Sequence, residues 1–263
     1  MRHILVISDT HDNIDAFSAL VATVDFDLLV LPGDICEFRC NEFYNVLRNI
    51  ETPIIFTPGN HDCVYFFEQL STRLDNFFLI DNDVIQVETD EELIIVAGLG
   101  GVLSKRRRDI HHFTATDISI LANKLLRYGK NVDILITHEC ARNCSDIIPN
   151  TKGARGGTHT LYLLHLIAQP KIHICGHMHY PCTERFRITL CVNAGYGFGG
   201  LGAIIDYKAL KVKHFYVETK QNLRNEHKII YGYNWIRNVK RSYYRILKME
   251  AKRVFGSELK ESF

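Results

Sequence analysis

"HILVISDTH", His3–His11, sets four apolar residues in a row and then stops at a turn bearing a carboxylate and an imidazole. Ile4, Leu5, Val6 and Ile7 are apolar at successive rather than alternate positions, which reads as a strand buried on both faces. The pattern recurs in "DLLVLPGD" (27–34), "PIIFTPGNHD" (53–62), "ELIIVAGLGG" (92–101), "VDILITHE" (132–139) and "KIHICGHMH" (171–179). Segments of helical period separate the early runs, near Ile14–Val24 and Glu42–Ile50, with two more at Thr116–Tyr128 and Thr158–Ala168. Strand–helix alternation of this kind predicts an α/β fold with much parallel sheet. After Pro181 the helices stop: "RFRITLCVNAGYGFGGLGAIIDY" and "LKVKHFYVE" read as strands joined by Gly-rich turns, closing a domain over residues 1–218.

Residues 219–263 form a different segment. From Gln221 onward ten Lys/Arg stand against four Asp/Glu, a charge of +6, which leaves 21 basic and 26 acidic residues, or −5, in the body. Trp235, Ile236, Val239, Tyr243, Ile246 and Leu247 share one helical face, and Arg237, Arg241, Arg245, Lys248 and Lys252 the opposite one. The expectation is an amphipathic C-terminal helix that docks on the body or on a second copy of the chain, in preference to a membrane or nucleic acid. A net charge of +1 and 46% hydrophobic residues describe an ordinary globular protein without a field for polyanions. The opening residues lack the apolar run of a signal peptide, so the chain is expected to be cytoplasmic and its eight cysteines reduced. Cys36/Cys40 and Cys140/Cys144 share a C-x3-C spacing, and a zinc site built from those four is the alternative use of them.

The chemistry-bearing residues cluster where the runs end. Asp9 and His11 follow the first, Asp34 the second, and Asn60, His61 and Asp62 the third, with His138 after a later one and His177 and His179 after another. In open α/β sheets the C-terminal ends of the strands are where ligand sites lie. Carboxylate, imidazole and amide oxygen without thiolate suit manganese, iron or zinc. Seven such ligands are too many for one tetrahedral ion and about right for two ions sharing a carboxylate.

The series "DTH", "GDICE", "GNHD", "THE" and "GHMH", in that order, resembles the calcineurin-like metallophosphoesterases. The resemblance implies a four-layer αββα sandwich with the site at its edge. It implies that Asp9, His11 and His179 bind one divalent metal, that Asn60, His138 and His177 bind the other, and that Asp34 bridges them, manganese being the favoured ion. His61 would face the phosphate and leaving group as general acid, with Asp62 orienting it. The implied reaction is hydrolysis of phosphate esters, diesters above all, by metal-activated hydroxide. A phosphomonoesterase or nuclease of the same family is the alternative. A non-catalytic scaffold belongs to another class, and loss of the GNHD histidine would mark it; here His61 is present. The expected substrate is a small phosphoester or nucleotide.

Weaker signals complete the list. Arg155, in the Gly-rich stretch "NTKGARGGTHT" between His138 and the GHMH turn, is a candidate contact for a phosphate oxygen. "SKRRRDIHHF" (104–113) is a surface loop or a second arginine-bearing flap. His173, inside a strand, reads as a hydrogen-bonded structural histidine, as do His3, His165 and His214. Cys36 and Cys63 read as packing residues.

Overall fold

The computed structural model describes residues 1–89, 91–103, 111–129, 132–148 and 151–219. The amphipathic C-terminal helix and Arg106–Arg108 lie outside the described residues. The chain runs β1 (His3–Val6), α1 (Ile14–Thr23), β2 (Leu28–Leu31), α2 (Cys40–Leu47), β3 (Ile54–Phe56), α3 (Val64–Ser71), β4 (Phe77–Leu79), β5 (Asp83–Glu88) and β6 (Leu93–Leu99). It continues through β7 (Val102–Leu103), β8 (His112–Phe113), α4 (Ala115–Tyr128), β9 (Ile134–Thr137), α5 (His159–Ala168) and β10 (Ile172–Cys175). It closes with β11 (Cys182–Phe186), β12 (Thr189–Asn193), β13 (Leu201–Asp206) and β14 (Lys211–Tyr216).

Two six-stranded sheets form, ordered β14-β13-β1-β2-β3-β4 and β11-β12-β10-β9-β6-β5. In the first, β1 to β4 are parallel and β13 runs antiparallel to both of its neighbours, β1 and β14; in the second, β6, β9, β10 and β12 are parallel, with antiparallel β5 and β11 at the edges. The period of two along each strand sorts the side chains into three apolar layers. Ile4, Val6, Leu28, Val30 and Ile55 of the first sheet meet Val96, Ile134, Ile136, Ile172, Ile174 and Val192 of the second. The opposite face of the first sheet, Leu5, Leu29, Leu31 and Phe56, packs on Phe17, Phe43 and Phe67 of the first three helices. The opposite face of the second sheet, Ala97, Leu99 and Leu135, packs on Leu121, Leu125, Leu161 and Leu164 of α4 and α5. The layers are therefore αββα, and both faces of each sheet are buried, which is why the strands read as unbroken apolar runs.

The four expected helices, α1, α2, α4 and α5, begin within two residues of the expected positions, and α3 is an addition the sequence reading did not include. Thr114 and Asp117 cap α4 reciprocally, and Gly129 ends it in the left-handed conformation. No helix among the described residues is long and apolar enough to cross a membrane. All eight cysteines are free thiols. The four with C-x3-C spacing do not meet: Cys36 Sγ lies 3.0 Å from Cys40 Sγ, whereas Cys140 lies against Cys175 and Cys144 against His165.

Candidate metal centre

The turns after β1, β2, β3, β9 and β10 meet at one edge of the sandwich and are tied to each other by backbone bonds. Asp9 N–H donates to Gly33 O and His11 N–H to Asp34 O, both at 3.0 Å. His177 N–H donates to both carboxylate oxygens of Asp9 at 3.1 Å, joining the two sheets. Asp9, His11, Asp34, His177 and His179 all hold positive φ, between 42° and 62°. Such backbone costs roughly 1–3 kcal/mol per residue and persists where the surroundings over-determine it. A Cβ at Gly33 would collide with Gly59 N and with His138 Nδ1, so these turns approach as closely as they do because that position has no side chain.

Two groups of donor atoms result. Asp9, His11, Asp34 and His179 bring their ligand atoms within 4.8 Å of one another, and so do Asp34, His138 and His177. Asp34 belongs to both. His179 Nε2 lies 3.2 Å from Asp9 Oδ1 and 3.2 Å from His11 Nε2; His138 Nε2 lies 3.3 Å from Asp34 Oδ2 and 3.2 Å from Asn60 Oδ1. His138 Nδ1 is 2.8 Å from Pro32 O, and since a carbonyl only accepts, Nδ1 donates there and Nε2 is the atom presented to Asp34 and Asn60. Ser8 Oγ donates to Asp9 Oδ2 at 2.5 Å, and the Tyr196 ring stacks on His179 at 4.6 Å.

The electrostatics call for cations. Asp9 and Asp34 are buried, and among the described residues neither is paired with Lys or Arg. Burial pushes the Asp34 carboxyl up, but the imidazoles of His138 and His11 outweigh it and hold it well below the usual range. Asp9 is likewise lowered, burial being outweighed by His179 and His138. Burial opposes charge on His138 too, yet Asp34 and Asp9 raise it to about 10, so a proton there supplies the counter-charge. Burial lowers His11 and His177 to about 4, which keeps both rings neutral, the form that ligates metal. Two carboxylates, one of them shared, four imidazoles and an amide oxygen, with a proton standing in for positive charge, fit a pair of divalent ions.

The other expected residues sit around this cluster. His61 stands at its mouth with its side chain 46% exposed, its ring 5.4 Å from that of His11. The carboxylate facing it is Glu37, 3.8 Å from Nδ1. Asp62 does something different from orienting the His61 ring: its buried carboxylate accepts the backbone N–H groups of Asp34, Ile35, Cys36 and Gly59 at 2.6–3.0 Å. It thereby sets the loop that presents Asp34, while His61 N–H donates to Asp34 Oδ1 at 2.7 Å. Arg155 is brought together with Glu184, by a two-pronged contact at 2.8 and 2.9 Å, and with buried Asp146 at 2.6 Å, and none of these contacts is with a residue of the cluster. Ser8, Asp12 and Tyr196 escape sequence reasoning, and Glu37 enters it only as the last residue of "GDICE", with no role. Asp12 had a signal, since "DTHDN" puts it one residue past His11; its carboxylate accepts the amides of Glu37, Phe38 and Arg39.

The model of the calcineurin-like phosphoesterase family matches residues 2–181. No curated protein matches the chain in sequence. Several solved structures share the fold. A protein of Thermus thermophilus is 16% identical with a TM-score of 0.67, over 82% of this chain and 99% of that one. A 5′-nucleotidase from Candida albicans is 12% identical with a TM-score of 0.54, over 94% of this chain and 57% of that one. GAP50, the anchor in the inner membrane complex of Plasmodium, is 14% identical with a TM-score of 0.51, over 84% and 90%. At such identities the likeness is one of fold.

Proposed function

The chain belongs to the calcineurin-like phosphoesterase family, which uses a two-metal centre, and on that premise we propose that it hydrolyses phosphodiesters with His61 as the general acid. The observation that carries the reading is the pair of donor groups sharing Asp34. Asp9, His11 and His179 would hold one ion, Asn60, His138 and His177 the other, and Asp34 both; manganese is the favoured metal. When bound, two such ions supply Lewis-acid charge for phosphoryl oxygens and make water a nucleophile near neutral pH.

The chain's own part is positioning and proton delivery. Asp62 and Gly33 fix the loop of Asp34; Pro32 O fixes the ring of His138; Asp9 holds the His177 amide. His61 is tied to Asp34 through its backbone and keeps its imidazole uncommitted at the mouth, where it can protonate a departing alkoxide. Glu37 is the carboxylate nearest the ring, 3.8 Å from Nδ1.

A panel run on metal-reconstituted protein tests the proposal: a nitrophenyl monoester, a bis-nitrophenyl diester, cyclic nucleotides and single-stranded nucleic acid. Metal-dependent turnover favouring the diester is expected. Preference for the monoester would make the enzyme a phosphomonoesterase, and preference for the polymer a nuclease. A fully metallated protein that turns over none of them would be a scaffold.

A further inference from the structure

The strand that leads to His177 and His179 carries a third histidine whose surroundings belong to a different kind of site. His173 lies between the second sheet and α5, 1% exposed. Its Nδ1 is 3.0 Å from Nδ1 of His165 on α5, and Cys144 Sγ, in the loop after β9, is 3.6 Å from the same His165 atom. The three ligand atoms fall within 4.8 Å of one another, and all three residues are buried. Cys191 is in register beside His173 on β12 and its thiol neighbours that of Cys144, but its sulfur lies outside the group of three that share the 4.8 Å spacing.

Hydrogen accounting fixes the tautomer of His173. Thr137 Oγ1 donates its only hydrogen to Glu139 O at 2.7 Å, so at 2.9 Å from His173 Nε2 it must accept. His173 therefore carries its hydrogen on Nε2, and its Nδ1 presents a bare lone pair to His165 Nδ1. A histidine whose far nitrogen is fixed by an outer partner while the near one faces other donors is the arrangement of a metal ligand. The spacings agree. A tetrahedral ion with metal–sulfur bonds of about 2.3 Å and metal–nitrogen bonds of about 2.0–2.1 Å puts sulfur about 3.5 Å from nitrogen and two nitrogens about 3.3 Å apart.

We propose that Cys144, His165 and His173 bind one structural zinc ion, with the neighbouring Cys191 turning in as the fourth ligand, separate from the phosphoester centre. Two thiolates and two neutral imidazoles are a set that zinc takes in closed, four-coordinate sites. Two thiolates also cancel the ion's charge, which a site sealed from water requires. On binding, the two thiols lose their protons to solvent and the imidazoles lose none. The ion ties α5 and the loop after β9 to β10 and β12, behind the strand end that holds His177 and His179. This coordination is complete without water or substrate, so the ion's role is structural.

Cobalt(II) distinguishes the two centres, because only sulfur ligation gives an intense thiolate-to-cobalt charge-transfer band and the phosphoester centre has no sulfur ligand. Full-length protein stripped with a chelator and titrated with cobalt(II) should develop that band, its final intensity corresponding to one thiolate-bound cobalt per chain. Asp34→Asn should retain it and Cys144→Ala should lose it, with one zinc fewer per chain in protein purified without chelator. If Cys144→Ala does not fold, His165→Cys keeps four ligands and should show the band strengthened by its third thiolate. A folded wild-type chain without the band would make the cluster a thiol–imidazole hydrogen-bond network. A band that persists in Cys144→Ala, or is not strengthened in His165→Cys, would assign the sulfur to other cysteines. Either result overturns the proposal, and neither bears on whether the phosphoester site works.

Discussion

Within seven residues the chain builds two histidine environments of opposite kinds. His173 sits inside β10, sealed under α5 and bonded on both ring nitrogens. His177 and His179 lie just past the end of that strand, in left-handed turns, against carboxylates and beside the partly exposed His61. The strand interior offers regular backbone and dry neighbours, so an imidazole there can serve stability alone. The strand end offers strained backbone, buried carboxylates and an opening, which are the conditions for exchanging water and substrate. Position on the strand, not residue type, decides the use. Substitutions on the two sides should therefore differ in what they damage.

The largest effect is expected at the open end. Asp34→Asn replaces the one carboxylate common to both groups of ligands by a neutral amide with a single oxygen, and leaves His138 without its main counter-charge. Metal content measured after reconstitution should fall by at least one ion per chain, and phosphoester turnover should drop to background. Retention of both ions would mean that Asp34 is not the bridge, and the two groups would then be independent sites.

Next comes His61, which should separate chemistry from metal binding. His61→Gln should keep both ions and lose roughly 10²–10⁴ in kcat, the usual worth of a positioned general acid. The loss should be smaller for a nitrophenolate leaving group, which departs without a proton, than for an alkoxide. Equal losses on both substrates would show that the ring binds phosphate and donates nothing.

The closed side is expected to respond in stability. His173→Gln breaks the contacts to Thr137 and His165 in a buried layer, at a cost of about 1–3 kcal/mol before loss of the proposed zinc ion is added. Chemical denaturation should detect that change while KM and kcat, measured at a temperature where the variant is folded, stay near wild type. If turnover falls and stability holds, the strand interior and its end are coupled, and the contrast between them fails.

Much of the open centre was legible because its residues share a local rule. Each follows an apolar run directly, so Asp9, Asp34, Asn60, His138 and His177 could be placed at strand ends without knowing how the strands pair. Other elements had no such rule. Helix α3 begins right after the "GNHD" turn, and its N-cap, Cys63, makes no side-chain cap bond, so no start signal announced it. β4 and β5 are short or half-exposed and carry no chemistry to mark them. The four carboxylate bonds of Asp62 go to backbone amides, which look alike in any sequence. The buried cluster was illegible for a topological reason. C-x3-C spacing pairs Cys140 with Cys144, but packing turns Cys144 toward residues 21, 29 and 47 positions away, which only α5, β10 and β12 bring together.

Arg155 tests the boundary between the two sides, with the smallest effect on turnover. Its loop reaches toward the open centre, since Gly156 lies against Met178 of the GHMH turn. Its guanidinium, however, grips Glu184 on β11 and buried Asp146. Two carboxylates already satisfy the charge that a phosphate would need, and releasing them would leave Asp146 inside the protein without its cation, an expensive state. Arg155→Ala is therefore expected to lower the melting temperature by several degrees while KM and kcat stay within about a factor of two; a loss of about 1–2 kcal/mol is the scale for a partly exposed pair with one buried carboxylate. Thermal melts and steady-state kinetics on the same preparation decide it. A large rise in KM at unchanged melting temperature would mean that the arginine leaves Glu184 for the substrate. The loop would then belong with the open edge, as a phosphate clamp, rather than with the sealed layer behind it.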